Sequence, residues 1–292
     1  MREDHILIGV DGGGTGCRVV LLRPGTQNRT EARGGPANVS DFDGACARII
    51  AVIGTALAQA GVGPDDQRHA VAHLGLAGVT GPGMAERVRA AVLQAFAFRK
   101  ITVTGDGATM IAGALGGADG AVVALGTGSF IGRRHKGQMA TIGGRGFLLG
   151  DQASGAWLGQ RALQELMLAV DGLRPHSAFS LALLSRHGND VARAIAFAIA
   201  ARPADFAELG PEVLAAADQG DRLARGLVGE GVDYIVAGLV AIGWRAGEAL
   251  CLAGGLGPRY VRYLPTELCA ALTAVRGSAL DGALRLAEEG AT

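Results

Sequence analysis

The chain has 292 residues, enough for two domains of ordinary size, and 49% of them are hydrophobic. Lys+Arg and Asp+Glu are equal at 27 each, a balance that argues against a dedicated nucleic-acid binder. Glycine is the outlier, with 48 residues where a usual share of roughly 7% predicts far fewer. These glycines gather in loops between apolar runs without a collagen period, so they read as places where a ligand approaches the backbone.

In chain order, "ILIGVD" reads as a strand, Gly12, Gly13 and Gly14 as a turn, and "RVVLL" as a second strand. Residues 41–60 read as a helix with a capping-box-like start at Ser40 and Asp43. Ile49, Ile50, Ile53 and Leu57 share one of its faces, and Gly61 ends it. "AVAHLGLAG" (70–78) reads as a strand, residues 83–97 as a helix, "ITVTGD" (101–106) as a strand and "GATMIAGAL" as the start of a helix. "AVVALGTGSFIGRR" (121–134) then repeats the opening strand–turn–strand pattern. Gly155 to Glu248 reads as largely helical, "ALCLAGGLG" as a third apolar strand and "SALDGALRLAEEG" as a short helix. Alternating strands and helices indicate an α/β architecture in two similarly built halves. The expected division is 1–106 and 107–278, the latter with a helical insertion, and the helix 279–292 packs back on the first half.

The opening "MREDHILIGV" has too short an apolar stretch and no cleavage pattern for a signal peptide. No window approaches the roughly 18 consecutive apolar residues of a membrane span; "YIVAGLVAIGW" (234–244) comes nearest and reads as a buried helix. Cys17, Cys46, Cys251 and Cys269 show no C-x-x-C pairing, so the simple reading is a reduced cytoplasmic protein with no metal or disulfide role for them. His69, His73, His135, His176 and His187 lack ligand spacing and read as capping or surface residues. Trp157 and Trp244 read as core, and "RRHK" (133–136) as a solvated hairpin end.

A glycine-rich turn between strands can aim successive N–H groups at an anion. Thr15 adds a hydroxyl, and Asp11 a carboxylate able to hold Mg²⁺. Gly126, Thr127, Gly128 and Ser129 form a second such turn without a carboxylate, and Gly254-Gly255 a third glycine pair. The Gly-Lys-Ser/Thr of a Walker A loop does not occur. A dinucleotide fingerprint would need a helix directly after the glycines, where "CRVVLL" is strand-like. A tight hairpin without ligand is the plain alternative.

"GVDGGGTGCRVVLL", "GGPANV", "TGD", "LGTGS", "GGRGFLLGDQASGAWLG" and "LAGGLG" resemble, in this order, the BadF/BadG/BcrA/BcrD-type ATPases. That family includes the N-acetylglucosamine kinases and lies within the superfamily of actin, hexokinase and heat-shock ATPases. "DGLRPHS" (171–177) and "SALDGALRLA" (278–287) are similar to the bacterial glucosamine kinases within it. The resemblance implies two ribonuclease H-like (actin-like ATPase) domains flanking a nucleotide cleft, with ATP and Mg²⁺ as cofactors and a small sugar as substrate. It implies neither nucleic acid nor membrane as a partner, and a homodimer is compatible with it. By resemblance, Asp11, Gly12, Gly13, Gly14 and Thr15 form the first phosphate loop and Gly126 to Ser129 the second. Ala253, Gly254, Gly255 and Leu256 form the adenosine loop, and Asp106 is the catalytic aspartate. Asn38, Gly144, Arg145, Gly146, Asp151 and Gln152 match sugar-binding positions. Many N-acetylglucosamine kinases have tryptophan at Arg145, and Asp-Glu-Gly-Ser where this chain has Asp151-Gln152-Ala153-Ser154. Arg145 and Gln152 favour glucosamine over its N-acetyl form.

Asp106 ends an apolar strand and reads either as a general base for the C6 hydroxyl or as a helix N-cap. Asn38 reads as a sugar ligand or a turn residue. Asp151 reads as an acceptor for a hydroxyl or the amine, or as a cap near Ser154. A guanidinium is a poor neighbour for a protonated amine, so Arg145 would grip an oxygen or pair with Asp151. Two other classes share the fold. A dehydratase activator would need cysteines for an iron–sulfur cluster, and no suitable pair is evident. A sugar-sensing regulator would usually carry a helix-turn-helix segment, whereas this chain opens on the phosphate-loop strand.

Overall fold

The computed structural model describes residues 5–23, 25–26 and 28–291. It begins β1 (Ile6–Gly12), β2 (Cys17–Leu22), β3 (Arg29–Gly34), α1 (Phe42–Gln59), α2 (Pro64–Gln67), β4 (Ala70–Leu76), α3 (Pro82–Ala95), β5 (Lys100–Gly105) and α4 (Asp106–Leu115). There follow β6 (Gly120–Leu125), β7 (Ser129–His135), β8 (Gln138–Gly143), α5 (Gly155–Val170), α6 (Ala178–Arg186), α7 (Val191–Ala200) and α8 (Pro203–Ala207). The remainder is α9 (Gly210–Asp218), α10 (Arg222–Ala241), β9 (Leu250–Ala253), α11 (Gly257–Tyr260), a 3₁₀ turn (Val261–Tyr263), α12 (Thr266–Ala270) and α13 (Ala279–Ala291). The architecture is α/β with two sheets, as expected.

The chain divides into two compact units: 1–119 with 134–139 and 275–292, and 120–133 with 140–274. The first unit therefore runs past residue 106, because α4 packs against α13, β4 and β5. In that unit the strand order is β3-β2-β1-β4-β5, with β1–β2–β3 antiparallel and β1–β4–β5 parallel. Its core gathers Ile8, Val10, Leu74, Ile49 and Ile53. The four-stranded sheet has the order β8-β7-β6-β9, and the second unit's core centres on Val123, Ile131, Leu158, Leu166 and Ile235.

Helix α1 is long and apolar enough to cross a membrane by length and composition. It buries Ala45, Cys46, Ile49, Val52, Ile53, Ala56 and Leu57, and it packs on β2 and β3. Its cap is Asp41, not Ser40: the Asp41 carboxylate accepts from Gly44 N at 3.2 Å and pairs with Arg48 at 2.7 Å. The segment 234–244 is split, with α10 ending at Ala241 and Trp244 donating from Nε1 to Glu248 O. Trp157 and Trp244 both pack against the second core. Half of the basic run 133–136 is not solvated. Arg133 makes a two-pronged pair with Glu248, and buried Arg134 pairs with Glu289 at 2.8 Å. Thr292, the last residue of the expected terminal helix, lies outside the described residues.

Helix α13 sits backbone on backbone. A Cβ at Gly282 would lie 1.9 Å from Thr109 O of α4, one at Gly113 would lie 2.0 Å from Ser278 O, and one at Gly9 of β1 would lie 2.8 Å from Leu284 N. Gly54 of α1 faces no such neighbour. Gly282→Ala should therefore cost ~1–3 kcal/mol or more by overpacking, and Gly54→Ala should gain up to about 1 kcal/mol from helix propensity. Denaturant titration of the two variants checks this, and a Gly282→Ala protein as stable as Gly54→Ala would contradict the packing.

His73 is buried in β4, a correction to its reading as a cap or surface residue. Nδ1 lies 2.8 Å from Thr102 Oγ1 and Nε2 lies 3.0 Å from Thr104 Oγ1. Burial pushes its pKa down to about 4. Between that value and the ordinary 6.5 of the unfolded chain, the unfolded state binds a proton that the folded state does not. The ring's contribution is thus full above pH 6.5 and falls towards pH 4 by ~1.4 kcal/mol per unit at most. Unfolding free energies of wild type and His73→Gln across pH 4–7 should show a shallower acid loss in the variant.

Candidate active site

In the first unit three parallel strands end together. The register pairs Gly12 with Leu76 and Leu76 with Gly105, so β1, β4 and β5 present their carboxyl ends in one row. Open α/β sheets bind ligands at that edge. The first glycine turn starts there: Gly13 N donates to Gly16 O at 2.8 Å, and Gly14 and Thr15 are exposed. A Cβ at Gly12 would lie 2.6 Å from Leu76 Cδ2, whereas one at Gly14 would meet nothing within 4 Å.

The loop carrying Asn38 is stitched to this turn. Ala37 N donates to Gly13 O (2.9 Å), Ala77 N to Gly12 O (2.8 Å) and Val39 N to Ala77 O (3.0 Å). Asn38 Oδ1 accepts from Ser40 N at 2.9 Å, so Asn38 is a turn residue whose amide N–H donors are left for another partner.

Asp11 faces Arg18 across the β1–β2 hairpin, and Arg18 Nη2 lies 2.5 Å from its Oδ2. Sequence reading missed this partner, although counting residues along the hairpin would have found it. Asp106 is the first residue of α4 and not its N-cap; that is Gly105, and no side chain caps the helix. Desolvation first and then the negative charge of Asp11 push the Asp106 pKa up. The carboxylate nevertheless accepts backbone amides of the first turn, its own and that of Gly107, which pull the pKa down, and the net shift is upward. Asp11 offers a hard oxygen ligand beside the open turn. Among the described residues no three His, Cys, Asp or Glu converge into a protein-only cage. Such a set fits magnesium, which usually takes one or two carboxylates and completes its shell with substrate phosphates and water.

The second unit brings its candidates around Ser129. Gly126 N donates to Gly128 O at 2.9 Å, and α5 donates back into the turn from Gly155 N to Gly126 O (2.8 Å) and Ala156 N to Thr127 O (3.2 Å). The Ser129 hydroxyl is buried and donates to Gln152 O at 2.6 Å, so Thr127 is left as the exposed hydroxyl of this turn. Gly144 N donates to Ser129 O, and the Asp151 carboxylate accepts the backbone amides of Ser129 and Gly146. Gly144, Gly146, Asp151 and Gln152 thus lie together. Buried Asp151 has its pKa raised by desolvation, against those two hydrogen bonds. Ser154, not Asp151, caps α5, accepting from Trp157 N at 3.1 Å. Arg145 is exposed, and among the described residues no ion pair joins it to Asp151. Asp151 and Ala153 both hold left-handed backbones, φ +60° and +66°, a strained pair where glycine would be relaxed. Tyr234 of α10 also reaches this loop: its buried hydroxyl lies 2.4 Å from where a Gly143 Cβ would be. An apolar helix some way along the chain gave no sequence signal for it.

The third glycine segment closes on the end of β6. Leu256 N donates to Leu125 O at 3.0 Å, and Gly254, φ +80°, leaves a Cβ position 2.2 Å from the same oxygen. Ala253 follows from the parallel pairing of Ala124 with Ala253, and Gly255 is open.

Residues 8–268 match the BadF/BadG/BcrA/BcrD ATPase family. A glucosamine kinase of Vibrio cholerae is 32% identical over 281 residues, 96% of this chain and 95% of the relative. A structure from Chromobacterium violaceum, provisionally named an N-acetylglucosamine kinase, is 35% identical with a TM-score of 0.81, covering 98% of this chain and 99% of that one. A ROK-family glucokinase of Streptomyces griseus, solved with glucose and AMPPNP, shares the fold alone: 19% identity, TM-score 0.54, covering 98% and 100% of the two chains. With almost nine-tenths of its length matched and its glycine turns at strand ends, the chain belongs to the BadF/BadG/BcrA/BcrD ATPase family.

Proposed function

We propose that this chain is an ATP- and Mg²⁺-dependent kinase that phosphorylates an amino sugar, D-glucosamine, at its C6 hydroxyl. The observation that carries the reading is the row of strand ends that sets Asp106, Asn38 and the open Gly13–Thr15 turn along one edge of one sheet. The kinship with the Vibrio cholerae glucosamine kinase supplies the acceptor. Asp151 supports it, because a buried carboxylate with no guanidinium on it is a suitable partner for a 2-ammonium group. The Chromobacterium violaceum relative favours a second reading, N-acetylglucosamine as acceptor.

Phosphoryl transfer asks for position and charge neutralisation. The backbone amides of Gly14 and Thr15 and of Thr127 and Gly128, with the Thr15 and Thr127 hydroxyls, are the donors for the phosphates; the Gly13 and Gly126 amides are spent holding the turns. Gly254 and Gly255 keep the chain bare for the adenosine. Asn38 donates to sugar hydroxyls, and Gly144–Gly146, Asp151 and Gln152 complete the sugar's contacts. Asp106 takes the C6 hydroxyl proton, and its raised pKa makes it a stronger base than an ordinary carboxylate. Magnesium held by Asp11 would neutralise charge building on the phosphates. The scattered cysteines, with no C-x-x-C pairing, agree with a reducing cytoplasm as its location, and a homodimer is compatible with this reading.

Asp106→Asn should lower kcat by about 10²–10⁴-fold while the KM for ATP moves little. Turnover within a factor of a few of wild type would remove Asp106 as the base. A coupled ADP-release assay across glucosamine, N-acetylglucosamine, glucose and mannosamine should give the highest kcat/KM for glucosamine. A much faster N-acetylglucosamine reaction would establish the second reading instead.

A further inference from the structure

Strand β4 is buried along its whole length, and His73 is its one polar side chain. Burying an imidazole among aliphatic neighbours is costly unless both nitrogens find partners. Thr102 and Thr104 provide them from the adjacent strand, where His73 pairs in register with Thr102. Thr104 Oγ1 also lies 3.1 Å from Gly105 O. A hydroxyl has one proton. Two directions compete, because Thr102 Oγ1 also lies 3.4 Å from Ala72 O. The Thr104 contact to Gly105 O is the shorter of the two, so the Thr104 proton goes there. The Thr104 oxygen then accepts from His73 Nε2–H and Nδ1 accepts from Thr102, which runs the hydrogen bonds from Thr102 through His73 and Thr104 to the carbonyl just before Asp106.

The other side of Asp106 is held in the same way. Thr109, fully buried in α4, donates from Oγ1 to Asp106 O at 2.8 Å. Gly75 makes room for it, since a Cβ there would lie 2.3 Å from Thr109 Cγ2. The carbonyls of Gly105 and Asp106 are therefore both clamped by threonine hydroxyls, and the His73 ring locks the first clamp. Valine has threonine's shape, so a threonine-to-valine change at 102, 104 or 109 removes the hydroxyl and keeps the volume.

We infer that His73 is a positioning residue: through Thr104 it fixes the Gly105–Asp106 peptide and so the aim of the Asp106 carboxylate. This rests on the reading of Asp106 as the base. The burial that keeps the ring neutral lets it donate from one nitrogen and accept at the other.

The test is a mutant cycle on the full chain, with glucosamine and ATP as substrates. Thr104→Val, of unchanged shape, should lower kcat about tenfold with both KM values within twofold, since small misplacements of a reacting group are costly. Thr104→Ser should restore it. His73→Gln, which retains an N–H, should lose less than His73→Leu, and the His73→Leu/Thr104→Val double variant no more than His73→Leu alone. A folded Thr104→Val protein with wild-type kcat, or additive losses in the double variant, would overturn the proposal. If His73→Leu does not fold, the Thr104→Val and Thr104→Ser pair decides alone. Asp106→Asn separates the two levels. If it abolishes turnover while Thr104→Val does not lower it, only the positioning role fails; if it leaves turnover intact, both ideas fall.

Discussion

Backbone meets backbone where α13 crosses α4 and β1, and the first unit's candidate site depends on that contact. Gly9, Gly113 and Gly282 are the positions where side chains are missing, and a Cβ at any of them would collide with main-chain atoms. The contact brings the last described helix of the chain onto its first strand. Because α4 starts with Asp106, seating α4 also sets the height of that carboxylate above the sheet. Ordinary side-chain packing would leave the helix free to adjust by fractions of an ångström; close-packed main chain does not.

Charge at the same edge is arranged in opposition. Asp11 and Asp106 are near enough for the first to raise the pKa of the second, and Arg18 holds the first in an ion pair. A cation bound at Asp11 would compete with Arg18 for one carboxylate, while phosphates would attract both. The guanidinium is nearly half exposed, so solvent screens its hold on Asp11.

Much of this was legible in the sequence, for identifiable reasons. Strands with apolar runs, such as "AVAHLGL" and "AVVAL", announce themselves because burial on both faces leaves no room for polar residues. β3 ("RTEARG") and β8 ("QMATIG") were missed because edge strands form by hydrogen bonding to a neighbour and bury little. The cap of α1 moved by one residue, from Ser40 to Asp41, because the Asp41 carboxylate is the oxygen that meets Gly44 N, and Arg48 holds it there. In the candidate site, the glycine turns stand out by composition and Asp106 by its place at the end of an apolar strand, whereas Asp151 is reached only through the family resemblance. Commitments between side chains leave no such mark. Ser129 bonding Gln152, Tyr234 reaching Gly143 and Arg134 pairing with Glu289 join positions far apart in the chain, and no local pattern encodes them.

The glycine turns themselves separate two demands on the same residue type. In each turn one glycine is required by the fold: Gly12 against Leu76, Gly128 against the Asp151 carboxylate and Gly254 against Leu125 O. In each turn another is not. At Gly14, Gly126 and Gly255 a Cβ would meet nothing within 4 Å, and none of the three has a left-handed φ. Neither packing nor backbone strain asks for glycine there, and glycine costs folding entropy relative to alanine. A residue that the folded protein does not need, repeated at three strand ends, is explained when something outside the chain occupies the space a side chain would take. Phosphate and nucleoside are groups of that kind, since they are bound through bare N–H groups at close range.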